Sequence, residues 1–228
     1  MNPRLIQLLT LSLLVVPCIG SARGYRCDIE PEVVVETSSS GAITAVCQSA
    51  DKAIRFLAQY RLHPKRAIRV KVVEREIVSE GYDAFGCYDS RSELVEVMSY
   101  QAILEHVECP EMYGEPLDAV HFAGVVTHEV AHAVMQHNLL TRHISPAPQE
   151  YLAHATQFAA LPAARRDRII RAKDVGPWET GDAISDIYMA FDPGKFAVKS
   201  YLHLTALENP EEFIQVLLQA NWFYVYVP

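Results

Sequence analysis

Apolar residues along the chain fall into segments of two periods. Residues 33–37, Val33-Val34-Val35-Glu36-Thr37, form a short β-branched run that ends in the Ser38-Ser39-Ser40-Gly41 break. Beyond it, Ile43, Val46, Cys47, Ala50, Ile54, Leu57 and Ala58 recur at steps of three and four, which puts them on one face of a helix. After a turn at 61–64, Ile68, Val70 and Val72 alternate with Arg69, Lys71 and Val73, and that period of two predicts a strand with one wet face. Residues 86–89 and 94–98 predict two more short strands joined by the polar turn Ser90-Arg91-Ser92, a hairpin.

From residue 101 onward the helical period dominates. A short helix is expected at 101–107, followed by a Pro- and Gly-containing loop at 109–118. Residues 121–137 are apolar nearly all round, with small residues at Ala123, Gly124, Ala131 and Ala133, the pattern of a central buried helix. Pro146 and Pro148 suit the first turn of the next helix, which runs through Tyr151, Leu152, Ala155 and Phe158. A basic amphipathic segment at 162–173, helices at 184–189 and 196–207, and a helix start at Asn209-Pro210-Glu211-Glu212 complete the pattern. The aromatic tail at 222–227 is a terminal strand or a segment packed near a cleft, with core packing the expectation. With no repeat and no dividing linker, the fold class expected is α+β: a small mixed or antiparallel sheet packed on a central helix, followed by a helical C-terminal half.

Composition narrows the function. The 228 residues carry 20 Lys+Arg against 28 Asp+Glu, a net charge of −8 without a basic cluster. Nucleic acid is a poor partner for such a chain, because phosphate neutralisation dominates that binding. Arg4, the apolar run at 5–16 and the small residues Gly20, Ser21 and Ala22 describe a signal peptide over residues 1–22, leaving 23–228 as one domain. The apolar run is too short to span a bilayer, so no membrane span is expected once it is removed. The protein is therefore expected to be exported, to the periplasm or the medium. Cys18 leaves with the signal, and Cys27, Cys47, Cys87 and Cys109 remain, an even number that suits two disulfides. Of the three possible connectivities, Cys27–Cys47 with Cys87–Cys109 is favoured because each pair is a local neighbour along the chain.

The central helix holds His128-Glu129-Val130-Ala131-His132. Side chains four apart share a helical face, so two imidazoles can hold one cation at the nitrogen distances zinc prefers. Glu129, about 100° round the helix, is placed to act as general base towards a metal-activated water. An open tetrahedral site needs a third protein ligand, and Glu150, in the first turn of the following helix, is the best candidate. His137 falls on the opposite side of the helix and is expected to be solvated. His121 lies within about 20° of His128, where it could line the cleft but not reach the metal.

These residues, with Gln149-Glu150-Tyr151-Leu152-Ala153 downstream, resemble the gluzincin branch of zinc metallopeptidases, the thermolysin-like arrangement, over about residues 118–160. The resemblance implies a zincin-like fold in which an edge strand, here 94–98, holds an extended peptide or protein substrate. It implies Zn2+ bound by His128, His132 and Glu150, with Glu129 catalytic. It also implies a Tyr, His or Arg from the C-terminal half over the oxyanion, for which Tyr188, Tyr201 and His203 are available. Two positions depart from the family pattern: Gln149 replaces an Asn before the third ligand, and His154 replaces an Asp that orients a zinc-bound imidazole. His154 is expected to be a packed helical residue, with a supporting partner or rival ligand as alternatives. The function expected is a zinc-dependent peptidase; the alternative is a non-catalytic zinc-binding interaction protein on the same scaffold.

Overall fold

The β-branched run at 33–37 and the alternating run from Ile68 become parallel neighbours inside a five-stranded sheet. The structure is a computed structural model and describes residues 23–79, 82–141, 143–222 and 224–228. The signal peptide expected at 1–22 lies outside the described residues. The first half runs β1 (Arg23–Arg26), β2 (Val33–Thr37), α1 (Ser40–Ala58), β3 (Ile68–Val73), β4 (Ile77–Ser79), β5 (Tyr82–Ala84), β6 (Gly86–Asp89) and β7 (Leu94–Met98). Sheet order is β1-β2-β3-β7-β6, with β2, β3 and β7 parallel and β1 and β6 antiparallel to their neighbours. The short β4–β5 hairpin pairs separately.

Val33, Val35, Val70, Val95 and Val97 are fully buried, because α1 and the central helix cover the sheet. The hairpin at 86–98 forms as its alternation predicts, in the register Gly86 opposite Val97 and Asp89 opposite Leu94. Its edge is the other strand, however. Leu94–Met98 carries the more buried residues, so it enters the sheet beside β3 and leaves Gly86–Asp89 at the margin. The strand at 94–98, expected at the sheet edge, is therefore internal, and the edge on this side is 86–89.

Cys27 and Cys47 form a disulfide with Cα atoms 5.6 Å apart, tying the β1–β2 connection to α1. The second expected bridge does not form. Cys87 is half-buried on β6, whereas Cys109 is exposed in the loop beyond α2 (Tyr100–His106), and both are thiols. Sequence proximity is defeated by β7 and α2, which carry the chain away between them.

After the small hairpin β8 (Glu111–Met112) and β9 (Glu115–Pro116), the rest is mainly helical. It comprises α3 (Ala119–Asn138), α4 (Pro146–Ala160), α5 (Ala163–Lys173), β10 (Ala183–Ser185), α6 (Asp186–Phe191), α7 (Pro193–Ala206), α8 (Pro210–Leu217) and β11 (Tyr224–Tyr226). The fold is thus α+β, a small mixed sheet with a helical C-terminal half. The helix expected from residue 184 begins only at Asp186, since 183–185 pair antiparallel with 224–226. The aromatic tail is that terminal strand; Val225 and Val227 face inward while Trp222 and Tyr226 are exposed. Helix α3 lies between the sheet, α1 and α4, which is why fourteen of its residues are buried on every side. Among the described residues no helix is long and apolar enough to cross a membrane.

Candidate metal centre

Two helix starts position the site. Asp118 caps α3, its Oδ1 accepting from the Val120 and His121 amides at 3.0 Å each, while Arg165 holds its other oxygen at 2.7 Å. Such a cap fixes where the helix begins and hence which way its side chains point. Helix α4 starts with Pro146, and the carboxylate of Asp186 accepts from the Ala147 amide at 2.7 Å. Helices α3 and α4 then pack against each other, and His128, His132 and Glu150 meet at their interface.

Nε2 of His128 lies 3.1 Å from Nε2 of His132. Glu150 faces both, with Oε2 3.2 Å from His128 and Oε1 3.2 Å from His132. Zinc bonds of 2.0–2.1 Å in a tetrahedron place ligand atoms about 3.3 Å apart, so the three donors stand at the separations one small cation requires. A nitrogen, nitrogen, oxygen set suits a borderline cation such as zinc and is poor for calcium or magnesium. The expected ligand trio is thus brought together and could hold a metal ion.

Charge in the cluster is strongly coupled. Burial disfavours the His128 imidazolium, but the carboxylate of Glu150 outweighs it and lifts the His128 pKa to about 9. Burial likewise opposes the Glu150 carboxylate, and the two imidazoles overcome it and hold its pKa well below the usual range. Glu129 behaves differently. Burial and the charge of Glu150 raise its pKa despite the neighbouring imidazoles, which makes it a stronger base than a free carboxylate.

Glu129 projects from the same helix towards the edge strand. A Cβ on Gly86 would meet Cγ of Glu129 at 2.8 Å and Oε1 at 3.2 Å, so only glycine lets the strand approach this closely. Gly86, Cys87 and Tyr88 of β6, with Glu129, the ligand trio and Gln136, line a cleft of about 390 Å³. Tyr88 contributes a buried hydroxyl without a hydrogen-bond partner, the one such side-chain atom among the described residues. A second, more apolar recess of about 230 Å³ adjoins the centre between Phe85, Met112, Val125 and His154.

The residue that steadies the first imidazole is Gln157, which sequence reasoning missed. Its Oε1 is 3.1 Å from His128 Nδ1 and accepts from the Tyr113 hydroxyl at 2.6 Å, while its Nε2 donates to Met112 Sδ at 3.0 Å. The amide is buried against Gly124, where a Cβ would come within 3.1 Å of Nε2. The available signal was spacing, for Glu150, His154 and Gln157 stand at i, i+4 and i+7 on one face of α4.

Several other expectations change. His154 is not simply a packed helical residue; its Nε2 is 3.6 Å from Glu150 Oε2, its ring lies 4.6 Å from that of His128, and burial lowers its pKa to about 3. Gln149 turns back instead, donating to the Ile144 carbonyl at 3.1 Å. His137 is buried rather than solvated, its Nδ1 3.4 Å from the Lys65 amide, because the loop before β3 covers that side of α3. His121 is fully buried with Arg165 and Pro116 and does not line the cleft. None of Tyr188, Tyr201 and His203 lines it either: Tyr188 packs edge-to-face with Trp178, Tyr201 lies tilted against Phe158, and His203 bonds the Tyr151 hydroxyl at 2.6 Å.

A family model, that of a family of unknown function (DUF6639), matches residues 33–226, and the chain belongs to that family. No curated protein and no solved structure matches it.

Proposed function

We propose that this DUF6639 member is an exported zinc-dependent peptidase in which His128, His132 and Glu150 hold the metal and Glu129 is the general base. The observation that carries the reading is the convergence of two imidazole nitrogens and one carboxylate within 4.8 Å of one another, beside a carboxylate of raised pKa in an open cleft. Export is supported by the sequence of residues 1–22 and by the Cys27–Cys47 disulfide, a bond that persists in oxidising compartments.

Zinc bound there would polarise a carbonyl and lower the pKa of water towards neutrality. Glu129 would take the proton from the attacking water and return it to the leaving amine, a role its place beside the trio in the cleft suits. The exposed edge of β6 offers main-chain donors and acceptors to an extended peptide, which would lie along the cleft as an added strand. The resemblance of the 128–132 motif and Glu150 to gluzincins supports peptide bonds as the substrate class and a zincin-like description of the fold.

A second reading is a zinc-binding interaction protein without hydrolysis. It is favoured by the placement of Tyr188, Tyr201 and His203 away from the cleft, which removes the expected oxyanion donors. Peptide-library cleavage by wild type and Glu129→Gln separates the two. Loss of about 10²–10⁴-fold in rate with zinc content unchanged supports the peptidase, whereas equal behaviour on every peptide supports the binder.

A further inference from the structure

We infer that the cleft takes an internal stretch of an extended polypeptide, with an apolar side chain on one flank of the cut bond and an uncharged polar one on the other, which makes the protein an endopeptidase. The inference rests on the peptidase reading proposed above and names its substrate class.

Two recesses meet at the centre. The larger, of about 390 Å³, and the smaller, of about 230 Å³, share Gly86, His128, Glu129 and Glu150 and part from there in opposite directions along α3. The smaller reaches Val125, one turn before His128, and the larger reaches Gln136, one turn past His132. Val125 and Gln136 are eleven residues apart on one helical face, a span of about 16 Å. An extended chain rises about 3.3 Å per residue, so about five residues fit there, about two on the Val125 side of Glu129 and three on the Gln136 side. The strand wall divides in the same way, with Phe85 in the smaller recess and Tyr88 and Ser90 in the larger. A site that trims chain ends closes close to the bond it cuts; this cleft continues past it both ways.

The walls select the side chains. Phe85, Met112 and Val125 make the smaller recess apolar, which favours a side chain that gains by leaving water. Ser90 and Gln136 bring a hydroxyl and an amide to the larger one, where a polar side chain finds partners. Among the described residues, neither recess is lined by Lys, Arg, Asp or any Glu besides Glu129 and Glu150, both committed to the proposed chemistry. A chain end beside the cut bond would bring its charge out of water without a countercharge, whereas the neutral amides of an internal segment pair with the β6 edge. Hydrolysis adds water across the C–N bond and leaves a new carboxylate on one fragment and a new amine on the other, which the same walls have nothing to retain.

Peptides of about ten residues, twice what the cleft spans, are compared with acetylated and amidated ends and with free ends. The zinc-loaded full-length protein is expected to cut capped and free peptides at the same internal bonds, at rates within about threefold. Mass spectrometry of the products should show apolar residues enriched on one side of the cut and Ser, Thr, Asn or Gln on the other. Gln136→Arg should raise cutting beside Asp or Glu at the polar flank by about tenfold. Binding of the capped peptides to zinc-loaded Glu129→Gln, followed by fluorescence anisotropy, reads occupancy without turnover. Trimming of free ends with capped peptides left intact would overturn the internal-segment inference while the peptidase reading stands. Internal cutting with no flank preference and no response to Gln136→Arg would overturn the assignment of the two recesses. Capped peptides bound by Glu129→Gln but cut by no form of the protein would overturn hydrolysis and leave the internal segment as the ligand. Neither binding nor cutting overturns both.

Discussion

Gly86 and Glu129 pack so closely that a methyl group on the former would stand 2.8 Å from Cγ of the latter. In the proposed peptidase, the strand whose edge would hold substrate is thereby fitted to the carboxylate that would serve as base. Gly86→Ala is expected to push Glu129 out of line, lowering kcat by about 10²-fold, since an ångström of misplacement can cost that much. Zinc content should remain that of wild type, because none of the ligands contacts the new methyl. Metal analysis with steady-state kinetics checks both halves.

Gln157 holds His128 from behind, so its removal should loosen the metal without removing a ligand. Gln157→Ala is expected to weaken zinc binding about 10–100-fold, the usual range for a partner behind a ligating histidine. Gly124→Ala should produce a milder loss in the same direction by crowding the amide at 3.1 Å. Competition with a chromophoric chelator measures both.

Cys27–Cys47 closes a loop with a sequence separation of 20. Cys27→Ser is expected to lower stability by about 3 kcal/mol in chemical denaturation. Thiol labelling of the folded protein tests the unpaired cysteines. Cys109 should react quickly, and Cys87 slowly, because burial followed by the charges of Glu129 and Glu96 raises the pKa of its thiol.

Burial, followed by the charges of Arg66 and Lys65, depresses the pKa of His137 from 6.5 to about 4. The unfolded chain, with an ordinary imidazole, binds the proton first as pH falls. The contribution of this neutral histidine to stability is therefore complete above about pH 6.5 and is lost progressively down to about pH 4. His137→Gln, which keeps an acceptor for the Lys65 amide, should show a shallower decline of stability across that window. Urea midpoints at pH 7, 5.5 and 4.5 provide the measurement.

The trio was legible because its information is local. Two histidines at i and i+4, and a glutamate just inside a proline-started helix, are fixed by helical geometry and a short connection. The hairpin and the amphipathic α1 were legible for the same reason, since alternation and three–four spacing report burial directly. Which hairpin strand lies at the edge was not, because it depends on the partner chosen by Leu94–Met98 and on nothing within the hairpin. β1, with the sequence Arg-Gly-Tyr-Arg, has no strand-like alternation and exists because β2 offers it an edge. The roles of His154, Gln157 and Tyr113 were hidden for a related cause. Tyr113 arrives from a loop with positive φ 41 residues before His154, and only the folded chain joins their hydrogen bonds.

The start of α4 is held by groups from far along the chain. Asp186 accepts from the Ala147 amide, and Ser145 bonds the Ala220 and Trp222 carbonyls, so the helix that carries Glu150 is anchored by residues 39 to 77 positions later. During synthesis the histidine pair emerges before Asp186, Ala220 and Trp222, the partners that hold the start of the glutamate's helix. A product truncated before Asp186 would carry both imidazoles and the glutamate but none of these anchors on the first turn of α4.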